Sequence, residues 1–171
     1  MQALGLVWGE VDSRAPDYRE RTTFIGGPKH PGARLTLTVW RQAMAADGFV
    51  IGRDVPSRKL SSVLRNLAVY EPVDGGRDFH VRIAGTAFYR RFGYDITGKT
   101  VSGLFGPDSF AEKRDILNRM IESGTPVFAE LERAQGTRMP MRFEVLLLPV
   151  LAPRRAAGWV MTGIFFQDWV S

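Results

Sequence analysis

The last third of the chain carries three consecutive strand-type runs, VFAELERA, MRFEVLLLPVLA and GWVMTGIFFQDW, joined by QGTRMP and PRRAAG. The final two are long and nearly apolar on both faces at their ends, as central strands of a covered sheet are. Helices must then cover one side of that sheet, and a partner or a terminal helix the other. Burying each large aromatic there contributes about 1.5–3 kcal/mol. Two earlier runs, AVYEPVD and DFHVRIAG, share the period of two and are separated by Gly75-Gly76, a hairpin signal. In the second of these, Phe79, Val81 and Ile83 alternate with His80, Arg82 and Ala84, so one face is apolar. Three closing strands cannot leave the first two unpaired. The economical solution is an α+β fold: one five-stranded antiparallel sheet with the helical middle packed across one face. A small ligand would sit between the two layers.

Helical spacing occurs in four places. TLTVWRQAMAADG sets Leu37, Trp40 and Met44 on one face, with Thr36 as the expected N-cap and Gly48 at the end. SSVLRNL is a short helical turn, and GTAFYRRFG a short helix with Phe88 and Phe92 at i, i+4. DSFAEKRDILNRMIESG is the clearest helix: Ser109 and Glu112 have capping-box spacing, and Gly124 then Pro126 stop it. Residues 1–34 contain Gly26-Gly27-Pro28 and Pro31-Gly32 and no sustained period. They are expected to form an arm, flexible or docked through Trp8 and Phe24, with the folded domain spanning residues 35–171.

Composition narrows the chemistry. A chain of 171 residues with 44% hydrophobic and 24% charged residues is globular and needs no disulfide or metal staple. It contains no cysteine, which removes thiol nucleophiles, Cys-based metal sites and cysteinyl flavin adducts. Its two histidines, His30 and His80, are too few for a multi-histidine metal site, so no metal is expected. Nothing reads as a membrane span or secretory signal, so a cytoplasmic location is the expectation. The net charge of +5 comes from 19 Arg against 4 Lys, scattered with only the doublets Arg90-Arg91 and Arg154-Arg155. A nucleic-acid face usually shows a denser cluster, and a solvated basic surface is the plainer reading.

The run FHVRIAGTAFYRRFGYDITGKTV, from Phe79 to Val101, resembles a PAS domain. It reads as strand, Arg82-x-x-Gly85-Thr86, helix to Phe92-Gly93, then Asp95-Ile96-Thr97-Gly98-Lys99, with Trp40 and Pro56-Ser57-Arg58 upstream. The likeness covers about Thr36 to Trp169 and points to a bacterial family of short, mostly single-domain PAS-like proteins. Independently, Gly85 suits a strand-to-helix corner, Thr86 a cap, and Thr97-Gly98 a turn. The resemblance implies a sensory or regulatory module that is not an enzyme. PAS domains bind haem, flavin, another small molecule or only a protein, and often dimerise. A flavin photosensor would need the missing cysteine. The oxygen-sensing haem subtype takes a histidine from the long helix, which has none here, and His80 is left as the alternative ligand. The cofactor is therefore open.

Seven side chains are candidates for a pocket. His80 can act as a ligand or pH switch, or be a satisfied strand histidine. Arg82 can hold an anion by its fork, or pair with Glu71, Asp95 or Glu144. Tyr70 and Thr162 can offer hydroxyls or simply pack, and Phe88, Phe92 and Phe143 (with Phe165) can line the space or fill it as plain core. Glu130, Glu132 and Glu144 lie in adjacent strands and are the material for a less favoured enzyme reading. The expected function is a stand-alone sensory and regulatory domain acting by protein–protein contact in trans, with ligand binding as an option. An Arg-driven nucleic-acid binder is the alternative. A homodimer is expected through the amino-terminal segment and the outer sheet face, where Trp159, Met161, Phe165 and Trp169 supply spare apolar surface.

Overall fold

The period-two runs pair into one antiparallel sheet in the computed structural model, which describes residues 18–136 and 139–167. Its strands are β1 (Tyr18–Ile25), β2 (Leu67–Val73), β3 (Asp78–Ala84), β4 (Val127–Gln135), β5 (Met141–Leu151) and β6 (Gly158–Phe166). Their spatial order is β1-β4-β5-β6-β2-β3. The early hairpin joins the late strands through β2 and β6, registered from Leu67 opposite Gly163 to Tyr70 opposite Val160.

The sheet has one strand more than the five expected. The sixth, β1, comes from the stretch read as an arm and runs beside β4 from Tyr18 opposite Gln135 to Ile25 opposite Phe128. Its sequence, YRERTTFI, lacks a clean apolar alternation because most of its side chains stay in solvent. Ladder hydrogen bonds rather than burial hold such an edge strand. Phe24, the expected anchor, is 57% exposed. Trp8, its expected partner in docking, lies outside the described residues.

Helix α1 (Pro31–Ala46) covers the outer face of the sheet. Pro31 and Gly32, read as breakers, open the helix instead, since proline suits a first helical turn. The N-cap is His30, whose Nδ1 accepts from the Gly32 N–H at 3.0 Å. Thr36 is a buried interior residue whose hydroxyl donates to the Gly32 carbonyl at 2.8 Å, so it does not cap. Trp40 packs on the sheet and donates its indole N–H to the Pro149 carbonyl at 2.8 Å. Met161 and Phe165 lie buried beneath this helix, together with Leu146, Leu148 and Leu60 of the 3-10 helix Arg58–Asn66. The apolar surplus expected to receive a second copy is therefore covered by the chain's own helix. Trp159 is half-buried, and Trp169 lies outside the described residues.

The inner face carries α2 (Ala87–Phe92), α3 (Val101–Leu104) and α4 (Pro107–Ser123). Phe79, Val81, Phe88, Ile96, Leu117, Met120 and Phe143 form the core between them and the sheet. Pro107 starts α4 with Gly106 as N-cap, so the Ser109–Glu112 capping box does not form. Thr86 has helical backbone angles and no capping hydrogen bond from its side chain. Gly98, with φ +83°, makes the expected turn, where the Asp95 carboxylate accepts from the Thr97 N–H at 2.9 Å.

Gly85 is required by proximity. Its N–H donates to the Leu67 carbonyl at 2.8 Å. A methyl group there would overlap the Arg65 carbonyl and come within 2.6 Å of that of Leu64. Backbone cannot retreat as a flexible side chain can. Gly85→Ala is expected to lose about 3 kcal/mol or more, beyond ordinary overpacking, measured by urea denaturation.

Candidate functional site

Between the inner face of the sheet and the helices α2 and α4 lies a cavity of about 130 Å³. Tyr70 of β2, Thr162 of β6, and Phe88 and Phe92 of α2 are on its wall. These are four of the seven pocket candidates. The other three lie elsewhere, for a reason built into the strand. The alternation that sends Phe79 and Val81 into the core turns His80 and Arg82 away from it. His80 is half-buried and bridges Thr100, while Arg82 is exposed and pairs with Glu71 at 3.5 Å. Phe143 is fully buried core, its ring 5.4 Å from that of Phe166.

Sequence reasoning missed the charged part of the wall. Arg91 and Lys113 both line the cavity. The Arg91 side chain is only 9% exposed, and its guanidinium sits 4.8 Å, 5.2 Å and 5.4 Å from the ring centres of Phe143, Phe92 and Phe105. The Lys113 ammonium lies 4.5 Å from the Phe105 ring centre. Both cations face one oxygen of Glu20 on β1, at 3.8 Å and 3.7 Å. Part of this was readable: Phe88, Arg91 and Phe92 are i, i+3 and i+4, which puts Arg91 on the apolar face of α2. Glu20 was not, because only the β1–β4 register brings it there.

Desolvation dominates the electrostatics. Burial raises the Tyr70 hydroxyl pKa to about 12, against the pull of the nearby Arg91 charge. Burial also lowers the Lys113 ammonium below its ordinary value, with the Glu20 carboxylate opposing and the Arg91 charge adding to the shift. Neither the Tyr70 nor the Thr162 hydroxyl has a hydrogen-bond partner among the described residues.

The strand carboxylates have other duties. Glu130 and Glu144 are direct cross-strand neighbours, on the outer face of the sheet. Glu144, 2% exposed, accepts from the backbone N–H groups of Lys29 and His30, both at 2.6 Å, and Glu130 pairs with the Lys29 ammonium at 2.8 Å. Together they fasten the turn between β1 and α1. Glu132 pairs with Arg142 at 2.8 Å.

Neither a thiol nor an imidazole lines the cavity. The chain has no thiol, and neither His30 nor His80 is on the wall, so a cysteinyl flavin or a histidine-ligated haem does not fit these residues. Among the described residues no group of three His, Asp or Glu side chains is placed to hold a metal ion. No helix among them is long and apolar enough to cross a membrane.

The sheet in this order, with helices across its inner face and a cavity between the layers, is an α+β architecture of the PAS type. A family model described as a PAS domain matches residues 29–166. The chain belongs to the PAS domain family. No curated protein matches it. Among solved structures it is similar to one titled an RNA-binding light-oxygen-voltage receptor, at 19% identity and a TM-score of 0.43. That likeness covers 90% of this chain and 39% of the receptor's chain.

Two outcomes follow. Glu144→Ala strands two backbone donors and is expected to lower stability by about 2–3 kcal/mol, read from urea denaturation. For Tyr70, the folded pKa of about 12 lies above the model-compound value of 10.0. Its contribution is fully present below pH 10, and is lost as the pH rises toward 12, because the unfolded chain releases its proton first. The loss amounts to roughly 3 kcal/mol. Tyr70→Phe should flatten stability across that window, as followed by denaturation at stepped pH.

Proposed function

We propose that this chain is a sensory and regulatory domain of the cytoplasm that acts by contact with another protein, with a small ligand in the inner cavity as its input. The observation that carries the reading is the cavity itself. It lies between sheet and helices, and the hydroxyl-bearing residues Tyr70 and Thr162, which make no side-chain hydrogen bond among the described residues, line it. A filled core would bury apolar side chains there and leave no unpaired hydroxyl.

The cavity is small. At about 130 Å³ it is below the usual range for drug-sized ligands, about 300–1,000 Å³. It is close to the cavity of about 150 Å³ that takes up a benzene ring. The input is therefore a molecule of about one ring. Its mouth lies between β1 and α4, where Thr22, Phe24 and Glu112 are exposed. Occupancy is thus felt next to the edge strand. Contact with a partner or a second copy falls to the sheet edges, because α1 occupies the outer face.

A nucleic-acid reading would be favoured by a convergent row of unpaired cations. Arg53 and Arg155 instead converge on Asp47, and Arg142 turns to Glu132. No catalytic reading is advanced, since the strand carboxylates hold the β1–α1 turn and the sheet face.

Ala129 on β4 lines the cavity and leaves Arg91 untouched. Fluorinated single-ring fragments, screened by ligand-observed NMR, are expected to bind the wild type. Ala129→Phe, which fills the space, should weaken them about tenfold or more while costing about 1–3 kcal/mol in stability. Equal binding by the filled variant, or no fragment bound by the wild type, would sink the reading.

A further inference from the structure

The Arg91 guanidinium is nine-tenths buried, faces the cavity and has no hydrogen-bond acceptor among the described residues. Its contacts are three aromatic rings and the Glu20 carboxylate at 3.8 Å, which is beyond hydrogen-bond distance. Lys113 faces the same Glu20 oxygen at 3.7 Å. A third cation is close, because Arg133 donates to the Arg91 carbonyl at 2.5 Å. Buried guanidinium groups normally find acceptors, since an unmet donor in a low-dielectric site is costly. Here the donors are held in place by packing and left open toward the space.

We propose that the cavity takes a small aromatic monocarboxylate, whose anion displaces the Glu20 carboxylate from Arg91 and Lys113. The proposal rests on the reading of the cavity as a ligand site and names the chemistry that site selects. The ring lies among Phe88, Phe92 and Phe105, in a volume of about 130 Å³ that admits a single ring. The carboxylate takes the bidentate position that the guanidinium fork presents, a planar match that Glu20 does not make at its present distance. One negative charge is accepted because two cations of the wall already share one carboxylate oxygen. The exchange also reaches the edge of the sheet. Glu20 belongs to β1, a strand with mostly exposed side chains, so losing this ion pair loosens a tie between β1 and the helical layer.

Calorimetric titration with benzoate, its neutral isostere benzamide, and acetate separates the parts. The wild type is expected to bind benzoate at least about tenfold more tightly than benzamide or acetate. Arg91→Met, which keeps much of the packing volume, should abolish the preference for benzoate over benzamide. Glu20→Gln removes the competing anion and should tighten benzoate severalfold while leaving benzamide unchanged, a gain that a merely structural Glu20 would not produce. If Arg91→Met fails to fold by circular dichroism, the Glu20→Gln result decides. Equal binding of benzoate and benzamide by the wild type overturns the proposal and leaves the cavity as a ligand site. Acetate binding as tightly as benzoate overturns it in favour of a plain anion site. Absence of binding by both ring compounds overturns it, and a cavity that also rejects the neutral fragments removes the underlying reading as well. Weaker benzoate binding by Glu20→Gln overturns the exchange with Glu20.

Discussion

The pairing of β6 with β2 is the contact on which the rest of the architecture depends. It connects residues almost a hundred positions apart and turns an amino-terminal hairpin and a carboxy-terminal meander into one sheet. Gly163 lies opposite Leu67, and the chain leaving β3 returns at Gly85 to donate to that same Leu67. The corner into α2 is thereby set against the centre of the sheet, with no room for a β-carbon. The position of α2, and with it Arg91, follows from that close approach.

Both faces of the sheet are covered, by different means. The inner face meets the short helices α2 and α3 and the longer α4, and a cavity remains between them and the sheet. The outer face meets one long helix whose tryptophan is both packed and hydrogen-bonded. Glu144 and Glu130 look like a pair of catalytic carboxylates in a strand alignment. In three dimensions they are the anchor of the turn that delivers α1 to the outer face. Without it the large apolar side chains of β5 and β6 would be left open to water or to another chain.

The inner cavity combines features that seldom coexist without a purpose. Its walls are mainly phenylalanine and aliphatic, yet two cations and the hydroxyl-bearing Tyr70 and Thr162 line it. Desolvating a guanidinium is costly, and the contacts with three rings offset part of that cost. The remaining charge complementarity is supplied from β1, the strand that lies outside the five expected from the period-two runs. In the proposed exchange, the ligand's charge and the edge strand are coupled through the same carboxylate.

The period-two runs of the last third, the hairpin glycines and the Gly85 corner were legible because they are local: alternation and turn chemistry read directly as strands and bends. So were Phe88, Phe92, Tyr70 and Thr162 as cavity residues, since each lies on the inward side of its own element. The strand β1 was not legible, because an edge strand held by backbone hydrogen bonds need not alternate. Neither was the opening of α1 at Pro31, where a residue that breaks a helix interior begins one. His80 and Arg82 were placed at the pocket by their chemistry, and strand parity turned them away. Local pattern in the chain was enough for five of the six strands, the corner and the family. That Arg91, Lys113 and Glu20 meet follows from register and packing between distant elements, which no local pattern encodes.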